Sequence, residues 1–240
     1  MTRFLLAGGG TAGHVNPLLA LADAISADSP DHKVWALGTH EGIEARLVPE
    51  RGYPLLVIHR LPFPRRIDGQ LLRFPAKFLA SVRVVERYLR EHQIEVVVGF
   101  GGYASAPAYR AAKRLGIPVV VHEANALPGL ANRWAARFAA AVGVAFRNTK
   151  IANAQFVGMP LRAEVEALVN HRTKADIVAA RAHFGLDEST TTLLVTGGSL
   201  GAAKLNATIE ASRPVLRAAG IQVLHIVGDR SELAPEQQAD

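Results

Sequence analysis

The sequence predicts an α/β protein built on parallel sheet, and three observations carry that prediction. Short apolar runs of strand length alternate with alanine- and leucine-rich stretches of helical spacing, the pattern of a sheet covered by helices on both faces. Three of the runs break into glycines and then into a helix-like stretch. Gly116-Ile117-Pro118 ends one such stretch and opens the next run, the usual order of a glycine helix cap followed by proline.

The elements follow in order. Residues 4–7 form the first candidate strand and run into Gly8-Gly9-Gly10-Thr11-Ala12-Gly13-His14, with a helix expected over 17–27. Strands are expected at 33–37 and 54–58. Leu71, Phe74, Phe78, Val82, Val85 and Leu89 then recur at three- and four-residue steps, the stripe of an amphipathic helix. A strand at 95–98 breaks into Gly99-Phe100-Gly101-Gly102, followed by a helix over 106–115 and strands at 119–122 and 141–144. From Gly158 to Thr190 the character changes, with Gly158-Met159-Pro160 and then a charged stretch. The domain boundary is placed here, giving 1–161 and 162–240. The second part offers strands at 192–196 and 222–227 around Gly197-Gly198-Ser199-Leu200-Gly201. Open parallel sheets usually hold about five or six strands, so this second domain reads as partial.

Composition narrows the function. With 49% hydrophobic and 20% charged residues among 240, the chain is globular rather than disordered. It has no cysteine, which excludes a disulfide framework and thiol catalysis and fits a reducing compartment. Lys and Arg exceed Asp and Glu by 6, which favours anionic partners. The apolar run at 4–7 is too short for a signal peptide, and no run reaches transmembrane length, so a soluble or peripheral protein is expected. Histidines and carboxylates do not cluster at metal-ligand spacings, and the aromatic-basic signature of a nucleic-acid module is missing. Neither a metal, a cofactor nor nucleic acid is expected.

Glycine lets backbone N–H groups approach a ligand, and a helix N-terminus behind them favours negative charge, so these loops suit a phosphate or diphosphate. Gly8, Gly10 and Gly13 satisfy G-x-G-x-x-G after a strand. A dinucleotide site wants an acid at the end of the second strand, but 33–37 ends in Gly38-Thr39, with Asp31 before it and Glu41 late. That weakens the dinucleotide reading. A single such loop is as well explained by a tight turn without a ligand; three favour function. His14, in the first helical turn, is disfavoured as a cation there and suits a general base. Ser199 can cap its helix or bind a phosphate oxygen. His122-Glu123-Ala124-Asn125 lies at the carboxyl end of a strand, where ligands of open sheets bind, although these are also ordinary loop residues. The stripe over 71–89 carries Arg73, Lys77, Arg83, Arg87 and Arg90 on other faces and follows Pro62-Phe63-Pro64-Arg65-Arg66. It fits a helix packed on its own domain or a membrane-surface element, and Leu72 and Leu79 lie off the narrow stripe.

Taken in order, six segments resemble the MurG family of bacterial glycosyltransferases, and the set covers the whole chain. They are Gly9-Gly10-Thr11-Ala12-Gly13-His14-Val15-Asn16-Pro17, Gly99-Phe100-Gly101-Gly102-Tyr103, His122-Glu123-Ala124-Asn125, Gly129-Leu130-Ala131-Asn132-Arg133, Gly158-Met159-Pro160-Leu161-Arg162 and Gly197-Gly198-Ser199-Leu200-Gly201-Ala202. The resemblance implies a GT-B fold, two Rossmann-like domains, the first binding a lipid acceptor and the second UDP-GlcNAc. It implies inverting GlcNAc transfer from UDP-GlcNAc to lipid-linked MurNAc-pentapeptide in peptidoglycan synthesis, at the cytoplasmic face of the membrane. By motif, Thr11, Ala12, Gly13, Asn125, Arg162 and Ser199 match donor-contacting positions, and His14 matches a candidate catalytic residue. The basic segment over 71–89 falls at the family's membrane-associating patch, with an anionic membrane surface as partner.

Ala12 departs from a glycine usual in the first loop, and Met159 stands where asparagine is frequent. The family continues well beyond this length, so weak donor binding and little or no activity are expected of these 240 residues by themselves. Two other classes stay open. One is a non-catalytic acceptor and membrane module completed by a partner chain. The other is a different GT-B enzyme of UDP-sugars, such as an epimerase.

Overall fold

A computed structural model describes residues 1–61, 69–198 and 201–228. The chain divides into two compact units, Met1–Glu166 and Ala167–Asp240. The first holds strands β1 (Arg3–Ala7), β2 (Lys33–Gly38), β3 (Leu55–Val57), β4 (Val96–Gly99), β5 (Val119–Glu123), β6 (Ala141–Val144) and β7 (Ala154–Phe156). Between them run helices α1 (Ala12–Asp28), α2 (Glu44–Glu50), α3 (Gly69–Glu91), α4 (Ser105–Leu115) and α5 (Leu130–Ala135). The seven strands form one sheet in the order β3-β2-β1-β4-β5-β6-β7, every pair parallel. The order reverses between β1 and β4, so a crevice opens there beyond the strands' carboxyl ends.

The sheet is buried on both faces because its strands alternate two apolar sets. Leu5 and Val97 point into a core with Val82, Val85 and Leu89 of α3 and Tyr109 of α4. Leu6 and Val98, one residue on, point into the opposite core with Val15, Leu18 and Leu19 of α1 and Val48 of α2.

The start of α1 differs from the sequence expectation for a physical reason. α1 begins at Ala12, five residues before the expected start, and keeps Pro17 inside. Proline lacks an N–H, so it looks like a helix start, yet in this second turn it only removes one bond. Along α3 the stripe is half-buried at Phe74 and Phe78 and buried at Val82, Val85 and Leu89, while Leu72 and Leu79, which lie off it, are 84% and 43% exposed. Pro62-Phe63-Pro64-Arg65-Arg66 lies outside the described residues.

Helix α6 (Ala163–His171) spans the boundary between the units. The second unit continues with α7 (Lys174–His183), β8 (Thr191–Thr196), α8 (Ala203–Ala218) and β9 (Ile221–Ile226). β8 and β9 pair in parallel from Thr191–Ile221 to Thr196–Ile226, one strand–helix–strand crossover. Thr173 and Asp176 cap α7 reciprocally. In this unit Val195, Val223 and Asn206 are buried, while Leu194 and Ile226 are more than half exposed.

Candidate active site

Three loops meet beyond the carboxyl ends of β1, β4 and β5. Gly10, at φ +86°, turns the chain from β1 into α1, a backbone conformation that favours glycine. Thr11 precedes the helix in extended conformation, its side chain making no cap bond. The amides of Ala12 and Gly13, in the first turn of α1, make no hydrogen bond within the described residues, as expected of a helix N-terminus, and are available as anion donors.

His14 is held by this loop. Its Nδ1 lies 3.1 Å from the Gly9 carbonyl oxygen and 3.3 Å from Thr11 Oγ1. A carbonyl can only accept, so the Gly9 contact is a hydrogen bond when Nδ1 carries the proton. The neutral ring then presents the Nε2 lone pair. Nε2 faces the second loop: a Cβ built on Gly101 would sit 3.2 Å from it and 3.4 Å from Asn132 Nδ2. Gly101, at φ +96°, therefore makes room for His14 on one side and Asn132 on the other.

The second loop is fixed from below by Ser105. Its hydroxyl oxygen accepts from Gly101 N at 3.0 Å and lies within donor range of the carbonyls of Ala7 (2.9 Å) and Gly101 (2.7 Å). Gly99 leaves space for the ring of Tyr109, which is fully buried. Burial pushes the Tyr109 phenol pKa up, and its hydroxyl donates to Asn132 Oδ1 at 2.7 Å.

The third loop is organised by Glu123, itself 1% exposed. Its Oε1 accepts from the backbone and side-chain nitrogens of Asn125 at 2.8 and 2.9 Å. Its Oε2 accepts from Gly129 N and Asn132 Nδ2, both at 2.9 Å. His122 Nε2 donates to the Gly158 carbonyl at 3.0 Å. Of the polar run at the end of β5, then, His122 and Glu123 are internal struts rather than sugar ligands, and Asn125 alone is exposed.

Sequence reasoning missed a fourth participant. Glu44, in the first turn of α2, is 1% exposed, and its carboxylate reaches the first glycine loop. Oε2 accepts from Gly10 N, and Oε1 from Thr39 N and Oγ1, each at 2.9 Å. Gly9, Gly38 and Gly42 leave space for this side chain: a Cβ on any of them would collide with it. A carboxylate thus does stand at the end of β2, contrary to the sequence expectation. It cannot hold a ribose, because its oxygens are spent inside. It also takes the Gly10 amide from the loop's anion donors, leaving those of Thr11, Ala12 and Gly13. The only sequence signal was a pair of glycines, Gly38 and Gly42, on either side of Thr39 and shortly before Glu44.

The structure thus brings together Thr11, Ala12, Gly13 and His14 with Gly101 and Asn132, and sets Asn125 on the neighbouring strand end. Arg162 is placed beyond the edge strand β7, where its carbonyl accepts from Val165 and Glu166 at the start of α6. Its side chain is exposed and makes no bond within the described residues. Ser199 lies outside the described residues. Among the described residues no group of three or more His, Asp or Glu side chains is placed to hold a metal ion.

Comparison with known proteins fits this geometry. Residues 4–144 match the glycosyltransferase family 28 N-terminal domain, and 192–239 match the C-terminal domain of the same family. A UDP-N-acetylglucosamine--N-acetylmuramyl-(pentapeptide) pyrophosphoryl-undecaprenol N-acetylglucosamine transferase of Leifsonia xyli is 57% identical over 238 residues, 98% of this chain and 64% of that protein. The Streptomyces coelicolor protein of the same description is 48% identical over 234 residues, again 98% and 64%. The crystal structure of Acinetobacter baumannii MurG superposes with a TM-score of 0.73 at 29% identity, covering 100% of this chain and 64% of that one. A UDP-GlcNAc 2-epimerase from Methanocaldococcus jannaschii shares the fold at TM-score 0.58 and 14% identity, covering 96% and 66%. The chain spans about 64% of the length of the curated relatives it matches. Its fold is of the GT-B type, with Rossmann-like α/β units. A family model that covers the whole first sheet as far as β6, and a second that begins within β8, lead to one conclusion: the chain belongs to glycosyltransferase family 28.

Proposed function

We propose that the chain serves the inverting transfer of GlcNAc from UDP-GlcNAc to the C4 hydroxyl of MurNAc in undecaprenyl-pyrophosphoryl-MurNAc-pentapeptide, a step of peptidoglycan synthesis. The observation that carries this is His14: Nδ1 is tied to Gly9, and Nε2, which makes no hydrogen bond among the described residues, lies beside Gly101 at the strand ends where the strand order reverses. The MurNAc C4 oxygen attacks C1 of GlcNAc, the bond from C1 to the diphosphate oxygen breaks, and UDP leaves. His14 Nε2 takes the hydroxyl proton, a role typically worth ~10²–10⁴ in rate. The amides at Thr11, Ala12 and Gly13 and the positive end of α1 stabilise negative charge as it develops. By motif, Asn125, Arg162 and Ser199 are further donor-contacting positions in this reading.

We place the exposed Leu72, Arg73, Lys77 and Leu79 of α3 against the anionic cytoplasmic face of the bacterial membrane. Next to them lies an apolar cleft of about 340 Å³, lined by Leu61, Phe74, Phe78, Tyr103, Leu130 and Trp134. No helix among the described residues is long and apolar enough to cross a membrane, so the association is peripheral in this reading.

The test is transfer of labelled GlcNAc to the lipid-linked acceptor, with the substitution His14→Ala made in this chain and at the aligned position of the Leifsonia xyli protein. A loss of roughly 10²–10⁴-fold is expected in the longer protein. Near-normal transfer there removes His14 from the role of base. Sugar released from UDP-GlcNAc without lipid acceptor points instead to an epimerase.

A further inference from the structure

We infer that Glu44 is a positioning residue for His14, acting through the single peptide group that joins Gly9 to Gly10. The N–H of that group, on Gly10, donates to Glu44 Oε2 at 2.9 Å. Its C=O, on Gly9, accepts from His14 Nδ1 at 3.1 Å. Carboxylate, peptide and imidazole are therefore linked in series, in the way a buried acid orients a base histidine, with one amide interposed.

The link has two physical consequences. A buried anion on the N–H polarises the amide and makes the Gly9 oxygen a stronger acceptor. That stabilises the Nδ1–H form of His14 and keeps the lone pair on Nε2. The anion also fixes the plane of the peptide, and with it the direction in which the carbonyl meets the ring. Glu44 is itself held, because Oε1 accepts both the N–H and the hydroxyl of Thr39. It has no cationic partner among the described residues, so its negative charge is directed at hydrogen-bond donors alone. The other groups about the ring are Thr11 Oγ1 and, across the crevice, Gly101 with Asn132 and Glu123 behind it. None of these offers Nδ1 a charged acceptor.

The inference rests on reading His14 as the base, but its test needs no substrate, so the two can fail separately. Long-range ¹H–¹⁵N NMR on the 240-residue chain, at about pH 9 where imidazoles are neutral, reads the tautomer of each histidine directly. His14 is expected as Nδ1–H. His32 supplies an internal control of the opposite kind, because its Nδ1 accepts from Thr2 N at 3.1 Å. In Glu44→Gln the ratio of Nδ1–H to Nε2–H at His14 is expected to fall several-fold, with His32 unchanged. An unchanged ratio at His14, or Nε2–H already dominant in the parent, overturns the inference. If Glu44→Gln loses its dispersed spectrum, Thr39→Val decides. It removes one donor to Oε1 and keeps the charge, so a smaller shift in the same direction is expected, and no shift overturns the link.

Discussion

Gly102 stands directly on Gly9. A methyl group added at Gly102 would lie 2.5 Å from the Gly9 carbonyl oxygen and 3.2 Å from its nitrogen. The glycine loops after β1 and β4 are thus in backbone contact, and the Gly9 carbonyl involved is the one that meets His14. Gly102→Ala carries two penalties, a positive φ of 81° and a collision with main chain that cannot swing aside. A loss of about 2–4 kcal/mol in urea unfolding is expected. Gly52→Ala separates the two, because Gly52 has φ +83° but nothing within 4 Å of its added methyl. It is expected to cost only about 1 kcal/mol. Equal losses at the two positions show that the loop contact contributes nothing.

Asn132 bridges two buried groups, donating to Glu123 Oε2 at 2.9 Å and accepting from Tyr109 at 2.7 Å. Asn132→Ala strands the phenol and withdraws one donor from a buried carboxylate, at an expected cost of about 2–4 kcal/mol. Tyr109→Phe alone strands the Asn132 oxygen. The double variant Asn132→Ala/Tyr109→Phe is then less unstable than the sum of the singles, because each change removes a partner the other has already lost. Additive losses argue against a shared network.

Asp187 makes the second unit pH-sensitive. Its Oδ1 accepts from the hydroxyls and amides of Ser189 and Thr190 just before β8, and these bonds hold its pKa well below the usual carboxylate range. A depressed folded pKa means that the unfolded chain binds the proton first as pH falls. The stabilisation is therefore fully present above the unfolded value of about 4 and lost as pH drops through the folded one. Asp187→Asn removes the charge. Amide exchange in β8 and β9 is expected to be faster in the variant at neutral pH, and the gap between the two proteins is expected to begin closing only as pH falls below about 4. Curves that stay parallel throughout rule out the carboxylate as the cause.

The parallel sheet was legible because it is written locally. Runs such as Val96-Val97-Val98 and the glycines after them carry both strand and turn in consecutive residues. His14 was legible for the same reason, since its glycine setting lies within five residues of it. The supports of the site were not. Glu44 is 34 residues from Gly10, and Asn132 is 23 from Tyr109. Hydrogen bonds between elements leave no period in the sequence, so an internal carboxylate such as Glu123 reads as a polar loop residue open to ligands. The stripe over 71–89 was legible as amphipathic, with Leu72 and Leu79 off it, but periodicity could not say that Val82, Val85 and Leu89 are buried while Phe74 and Phe78 on the same stripe are half-buried.

The off-stripe residues of α3 yield the last prediction. Leu72 and Leu79 are exposed by 84% and 43%, and Arg73, Lys77, Arg83 and Arg87 are exposed on the same helix. An apolar edge flanked by cations suits the interface of an anionic bilayer, where each cation contributes about 1 kcal/mol and each apolar side chain adds its burial. Leu72→Glu and Leu79→Glu are expected to weaken sedimentation with phosphatidylglycerol vesicles. Both side chains are free of the core at these positions, so stability is expected to change by less than about 0.5 kcal/mol. Lys77→Ala is expected to weaken the same binding about fivefold and to lessen its dependence on salt. Val85→Glu is the contrasting case: its side chain is fully buried beneath the sheet, so it is expected to unfold the unit rather than release it from lipid. Equal binding of the parent to uncharged phosphatidylcholine vesicles rules out the electrostatic part of the reading. Full binding by both leucine variants rules out α3 as the docking element.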